Sequence, residues 1–226
     1  VVYLLSKNIN NKLFTPYIAW FHGIKHPPFT DCNKNKIHFI DKKNGFDIKS
    51  ILNLAKYIHK QKIKIVNAHH FMPVFYAFFA CKLSHAKLVY TEHSVLYVEK
   101  HNKKIEILTN FVLKRIHAIV GVSSEVTDFF NKNYKRKKSK YKTIINGVDT
   151  YKFKPQPPDQ KFLTNLGTDS RNVCIAMTGN FLEVKNHALL IRAFKHAHTQ
   201  RADTHLVLIG QGFPKNPRNT EHKIIS

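Results

Sequence analysis

The sequence predicts an α/β protein, with a doubly wound parallel sheet over residues 1–154, a linker over 155–170, and the start of a second α/β domain over 171–226. Two observations carry this. Short apolar runs rich in β-branched residues alternate with helix-period patterns, which is the order that parallel βαβ units require. The stretch Lys154-Pro155-Gln156-Pro157-Pro158-Asp159 then interrupts the alternation, since each proline fixes φ and removes a backbone donor.

Taken in order, residues 1–9 form the tail of a helix, and residues 17–21 and 37–40 are strands. Asp47 is placed to cap a helix with Ile48, Ile51, Leu52, Ala55 and Ile58 on one face. Residues 63–66 are the next strand, and an apolar helix follows over 73–83. The apolar run from Phe71 to Cys81 is well short of the roughly 18 residues that span a bilayer, so it is a buried helix. A strand over 87–91 ends at Glu92-His93-Ser94. A helix over 103–115 leads into a strand over 118–122, after which Ser123 or Ser124 caps a helix ending near Phe130. A strand over 142–145 closes at Asn146-Gly147. Beyond the linker, strands over 173–177 and 206–209 bracket a helix expected to bury Leu189, Leu190, Ala193, Phe194 and Ala197. A lone βαβ unit cannot cover both faces of its sheet. No strand precedes the first helix, and no periodicity follows Gly212. The chain is therefore expected to be a piece of a longer protein.

With 43% hydrophobic residues the 226-residue chain can fill a core, which argues against global disorder. The 37 Lys and Arg against 14 Asp and Glu give a net charge of +23, which favours anionic partners. Most of these cations are scattered and are read as a solvated basic surface. A denser group, Lys132, Lys135, Arg136, Lys137, Lys138, Lys140 and Lys142, is expected to be exposed and to hold the protein on an anionic membrane surface. Cys32, Cys81 and Cys174 are odd in number and widely spaced, a pattern of reduced thiols. With no signal peptide visible, the expected location is the cytoplasm, peripheral on the inner face of the membrane. A basic nucleic-acid-binding α/β protein is the alternative reading. It lacks a helix-turn-helix, RNP-type or zinc-ligand pattern, and its aromatics fall at predicted core positions, so no specific nucleic-acid partner is expected. His22 and His26 have i, i+4 spacing, but Gly23 between them and Pro27-Pro28 after them rule out a helical metal-ligand pair.

Three stretches, in this order, resemble glycosyltransferase family 4. Ile144-Ile145-Asn146-Gly147-Val148-Asp149-Thr150-Tyr151-Lys152-Phe153-Lys154-Pro155 is similar to the family's inter-domain signature. Ile119-Val120-Gly121-Val122-Ser123-Ser124-Glu125-Val126 resembles the strand and serine turn before it. Thr178-Gly179-Asn180-Phe181-Leu182-Glu183-Val184-Lys185-Asn186-His187, followed by Leu206-Val207-Leu208-Ile209-Gly210-Gln211-Gly212, looks like the opening of the donor domain.

The resemblance implies a GT-B architecture, with two Rossmann-like domains across a cleft. It implies transfer of a hexose-type sugar, with retention, from a UDP- or GDP-sugar to a lipid-linked or cell-envelope glycan, and no bound metal. His93 matches the family histidine beside the transferred sugar and is the catalytic candidate. Lys185 matches the lysine on the donor diphosphate, where an ammonium offsets charge on the leaving nucleotide. Gly179, Asn180, Gly210 and Gly212 join it as donor-binding candidates, although Asn180 departs from the arginine common there. Ser123, Asn146 and Gly147 are cleft-lining candidates. His69 and His70 also end a strand, and are read as ordinary loop histidines. The family's glycine-rich loop belongs upstream of Val1 and its paired glutamates downstream of Ser226, so the chain alone is expected to be inactive.

Overall fold

The computed structural model describes residues 1–21, 36–95, 103–134, 140–169, 171–212, 219–221 and 224. The chain divides into two compact units, Val1–Asp149 and Thr150–Ser226.

The first unit runs α1 (Val2–Asn8), β1 (Ile18–Trp20), β2 (Ile37–Phe39), α2 (Ile48–Lys60), β3 (Ile65–His69), α3 (Phe71–Ser84), β4 (Lys87–Glu92), α4 (Lys103–Leu113), β5 (Ala118–Gly121), α5 (Ser124–Asn133) and β6 (Tyr141–Thr143). β1 pairs with β2, and β3-β4-β5-β6 form a four-stranded sheet in that order. Every pairing is parallel. The fold is therefore α/β with Rossmann-like parallel sheets, as the alternation of elements predicts.

Asp47 starts α2 in extended backbone and accepts from the Lys49 and Ser50 N–H groups. The buried stripe of α2 is Ile51, Leu54, Ala55 and Ile58. Ile48 and Leu52, expected on that face, are exposed, because the i, i+3, i+4, i+7 positions begin at Ile51 and leave them on its flank. The helix ends with Lys62 at φ 52° and the Ile63 N–H bonded to the Ile58 carbonyl. Ile63 is thereby held off the sheet. The strand expected over 63–66 instead starts at Ile65 and reaches His69, in register with β4 from Ile65↔Lys87 to His69↔Thr91. α3 buries residues on most of its circumference, as an all-apolar helix must.

One row of the sheet shows where the core lies. Ala68, Tyr90, Ile119 and Tyr141 are laterally paired across β3, β4, β5 and β6, and all four belong to a single buried cluster with α2, α3, α4 and α5. Tyr90 meets Phe130 of α5 edge-on at 5.7 Å. Burying side chains of this size contributes about 1.5–3 kcal/mol each. β6 stops at Thr143, opposite Gly121, the last residue of β5. The Ile144 N–H still bonds the Gly121 carbonyl at 3.0 Å, but past Thr143 the ladder ends and the Ile144 and Ile145 side chains are exposed, whereas the sequence places both residues in the strand.

In the second unit, α6 (Gln160–Asn165) is capped by Asp159 and occupies part of the expected linker. β7 (Val173–Thr178), a 3₁₀ turn (Glu183–Lys185), α7 (His187–Gln200) and β8 (Thr204–Ile209) follow, with β7 and β8 parallel in full register. The expected burial of the α7 face is not met. Leu189 and Ala193 are exposed, while Leu190, Phe194 and Ala197 are half-buried. Two strands at about 4.8 Å spacing offer a narrow seat for a helix. The single buried residue of α7 is His187, whose ring lies 5.0 Å from that of Phe181. Among the described residues, no helix is long and apolar enough to cross a membrane.

Candidate functional site

Parallel strands put all their carboxyl ends on one edge, which is where open α/β sheets bind ligands. Four chain segments leave that edge. β3 ends at His69, and β4 ends at Glu92 with His93 next. β5 ends at Gly121, two residues before Ser123, the residue that caps α5 by accepting from the Val126 N–H. β6 ends three residues before Asn146, and both Asn146 and Gly147 are exposed. His93 and Ser123 are half-buried at the same edge.

Gly121 is fixed by packing. A Cβ there would overlap the Thr127 hydroxyl and crowd its backbone nitrogen, so only glycine lets α5 start this close to β5. Thr127 Oγ1 in turn donates to the Ser123 carbonyl and is bonded to Thr143 Oγ1 at 2.9 Å, which ties the turn to β6.

The densest chemistry lies between β3 and β4. Glu92 is fully buried. Its Oε1 accepts from the backbone N–H groups of His93 at 2.7 Å and Ser94 at 3.2 Å, and its Oε2 accepts from the Tyr90 hydroxyl at 2.5 Å. His70 Nδ1 lies 3.7 Å from Oε1. Burial pushes the Glu92 pKa up, but the adjacent His70 imidazole and the hydrogen bonds from Tyr90, His93 and Ser94 outweigh it and hold the carboxyl below its usual value. The carboxylate is thus a fixed anion under three imidazoles.

His69 Nδ1 and His93 Nε2 are 2.9 Å apart, and the His70 ring packs 4.7 Å from that of His93. Burial brings the His69 pKa down to about 4, with the neighbouring His93 and His70 adding to the effect. Burial also lowers that of His93, with His70 adding to it and Glu92 opposing. Both rings are neutral at pH 7. Among the described residues, no three His, Cys, Asp or Glu side chains are arranged to hold a metal ion, this cluster included. His22 and His26 lie outside the described residues.

Sequence reasoning picks out His93 at this edge and reads His69 and His70 as ordinary. It does not single out Glu92. The signal available was the spacing of Tyr90 and Glu92, which places both on the core side of β4, where a carboxylate needs partners.

In the second unit, Gly179 and Asn180 follow β7, and Gly210 and Gly212 follow β8. The Gly179 N–H bonds the Ile209 carbonyl at 2.8 Å, and a Cβ at Gly210 would overlap the Gly179 carbonyl oxygen. The two loops therefore touch backbone to backbone. Lys185 is exposed at the end of the 3₁₀ turn, and its stem passes within 3.7 Å of where a Cβ on Gly179 would stand. Residues 219–221 lie against the same loops. Asn219 bridges Leu182, the Thr220 N–H bonds the Phe181 carbonyl at 2.9 Å, and a Cβ on Gly212 would overlap the Glu221 carboxylate.

Of the basic run, Lys132 and Lys142 are exposed and Lys140 is half-buried, whereas Lys135, Arg136, Lys137 and Lys138 lie outside the described residues.

Comparison with known proteins agrees with this architecture. The chain resembles the solved structure of Anabaena HepE in complex with UDP and glucose, at 17% identity and a TM-score of 0.63, over 78% of this chain and 48% of that one. The same protein in complex with UDP-glucose gives 18% identity and a TM-score of 0.62, over 78% and 46%. A glycosyltransferase from Rickettsia africae gives 23% and 0.62, over 78% and 47%. The chain spans about half the length of these structures, and at such identities the likeness carries the fold, which is of the GT-B type. No curated protein matches the sequence. The family model described as Glycosyltransferase Family 4 matches residues 5–152, from α1 through the whole four-stranded sheet to the segment after Asn146-Gly147. That match covers well over half of the sequence, and the chain belongs to glycosyltransferase family 4.

Proposed function

We propose that the protein transfers a hexose-type sugar, with retention, from a UDP- or GDP-sugar to a lipid-linked or cell-envelope glycan. The observation that carries this reading is the family match over residues 5–152, together with a polar, histidine-rich carboxyl edge on the matched sheet. HepE, of similar fold, was solved with UDP and with UDP-glucose, which favours uridine in the donor. His93 is assigned to the transferred sugar, with Ser123, Asn146 and Gly147 lining the acceptor side. Gly179, Asn180, Lys185, Gly210 and Gly212 are assigned to the donor. There the glycines bring backbone close to the phosphates, and Lys185 supplies a cation against the charge that grows on the leaving diphosphate. Lys132, Lys140 and Lys142, with Lys135, Arg136, Lys137 and Lys138 between them, are assigned to an anionic membrane surface on the cytoplasmic side, each contributing on the order of 1 kcal/mol.

Calorimetric titration with UDP- and GDP-sugars tests the donor assignment. Lys185→Ala is expected to weaken binding about 10- to 100-fold, the loss of one charge-assisted bond. Absence of nucleotide-sugar binding, by this chain and by a longer one extended to the length of its structural relatives, would refute the reading. A radiolabelled transfer assay on the longer chain, with NMR of the product anomer, tests the reaction and its stereochemistry. The same assay on the 226-residue chain is expected to show no turnover. Co-sedimentation with neutral and anionic vesicles tests the basic stretch, and equal binding to both would refute the membrane assignment.

A further inference from the structure

The contact between the ends of β3 and β4 extends the reading above and rests on it. We infer that His69 is a positioning residue for His93: it engages Nε2 of that ring, fixes a single tautomer, and leaves Nδ1 as the nitrogen that meets a ligand.

A neutral imidazole carries one N–H and one lone pair, so its two nitrogens are never equivalent once one of them is bonded. Parallel register sets His69 opposite Thr91, and His93 therefore emerges from the neighbouring strand two residues beyond that pair. The rings meet with Nδ1 of His69 2.9 Å from Nε2 of His93, a hydrogen-bond distance. A single proton lies between the two nitrogens, so whichever ring donates, His93 Nδ1 takes the complementary role.

The surroundings make this arrangement rigid. Thr91 Oγ1 donates to Asn67 Oδ1 at 2.8 Å, clamping β3 to β4 just before the histidines on the same sheet face. The His93 backbone N–H is held by the buried Glu92 carboxylate, and the His70 N–H bonds the Thr91 carbonyl at 3.0 Å. With its main chain fixed on one side and its Nε2 on the other, the His93 ring keeps one orientation. Glu92 anchors the backbone and His69 anchors the ring. A sugar hydroxyl can donate or accept, and it gains most from a partner whose role is settled before it arrives, because no ordering remains to be done on binding.

The geometry also specifies which substitution preserves the effect. The amide nitrogen of asparagine occupies the place of imidazole Nδ1, so His69→Asn keeps a partner for His93 Nε2. His69→Phe keeps the ring volume and offers none.

The test is ring-nitrogen NMR of the whole chain labelled with ¹⁵N-histidine at pH 7. In the wild type and in His69→Asn, His93 is expected to show one protonated and one bare ring nitrogen. In His69→Phe the two signals are expected to move towards a common average as both tautomers become populated. Should the Phe ring not be accommodated, His69→Leu makes the same comparison. A His93 spectrum unaltered by the Phe or Leu variant overturns the inference. Titration with a UDP-sugar, run in parallel, is expected to show about 3- to 10-fold weaker binding for His69→Phe and near-normal binding for His69→Asn. If the tautomer responds and no nucleotide sugar binds, the glycosyl-transfer reading fails and the positioning role stands. If the sugar binds and the tautomer does not respond, the reverse holds.

Discussion

The Tyr90 hydroxyl donates to Glu92 at 2.5 Å, from two residues back along the same strand and on the same face of the sheet. That bond joins the core to the functional edge, since the Tyr90 ring is wedged against Phe130 while Glu92 holds the backbone of His93 and Ser94. Glu92→Ala is expected to destabilise the first unit by about 2–4 kcal/mol, because it strands a buried hydroxyl and two backbone donors. Glu92→Gln keeps the volume and one acceptor, and is expected to lose about half as much. Urea denaturation followed by circular dichroism measures both. Equal stability of Glu92→Ala and wild type would show that the carboxylate organises nothing.

Acidification should weaken the fold in a defined window. The His69 pKa lies near 4 in the folded protein, below its ordinary 6.5. Between these values the unfolded chain takes up a proton that the folded chain refuses, so stability falls as pH drops from about 6.5 to 4. Glu92, held below 4.5, adds a further loss beneath that pH. His93, also lowered, keeps part of the first effect when His69 is gone. Urea midpoints at pH 7, 6 and 5 are expected to fall less steeply for His69→Asn than for wild type. Parallel slopes would place the acid sensitivity elsewhere.

Gly121→Ala is expected to cost about 1–3 kcal/mol, as the new methyl pushes the start of α5 off β5. Gly147→Ala, at a position with nothing within 4 Å of the added carbon, serves as the control and is expected to be near neutral. Thermal denaturation of the pair measures the difference.

Much of this organisation was legible in the sequence. Period-3.6 patterns and the capping residues Asp47 and Ser123 mark real helices, and the turn after Gly121 falls where the serine motif puts it. What was not legible depends on lateral partners. Ile144 and Ile145 look like strand residues, but β5 ends opposite Thr143, and the ladder gives out after the Ile144 N–H bond to the Gly121 carbonyl. Ile63 looks like strand until Lys62 turns left-handed to close α2. The pairing of His69 with His93 spans 24 residues and arises from strand register, which no local pattern encodes.

The two described cysteines should differ sharply in reactivity. Cys81 is buried in α3, and burial pushes its thiol up to about 12, whereas Cys174 on β7 is exposed. The thiolate is the reactive form, so iodoacetamide at pH 8 is expected to label Cys174 in the native chain and Cys81 only after denaturation. Peptide mass spectrometry reads the outcome, and native labelling of Cys81 would contradict the packing of α3.

His187 buries both ring nitrogens, and neither has a hydrogen-bond partner among the described residues. An unsatisfied buried polar group costs about 1–3 kcal/mol. His187→Leu, which keeps an apolar contact with Phe181, is therefore expected to leave the second unit as stable or up to about 1 kcal/mol more stable. A clear loss of thermal stability would reveal a partner for the imidazole.

Burial along β4 rises towards its carboxyl end, from the exposed Lys87 to the buried Tyr90, Thr91 and Glu92, and the strand is hydrogen-bonded on both sides. Amides in such a segment are expected to exchange with solvent more slowly than those of short, partly exposed β6, which opens by local fraying. The imidazole of His93 is thus mounted directly after a buried strand that is paired on both sides. Local opening at β6 is therefore expected to leave the footing of His93 in place.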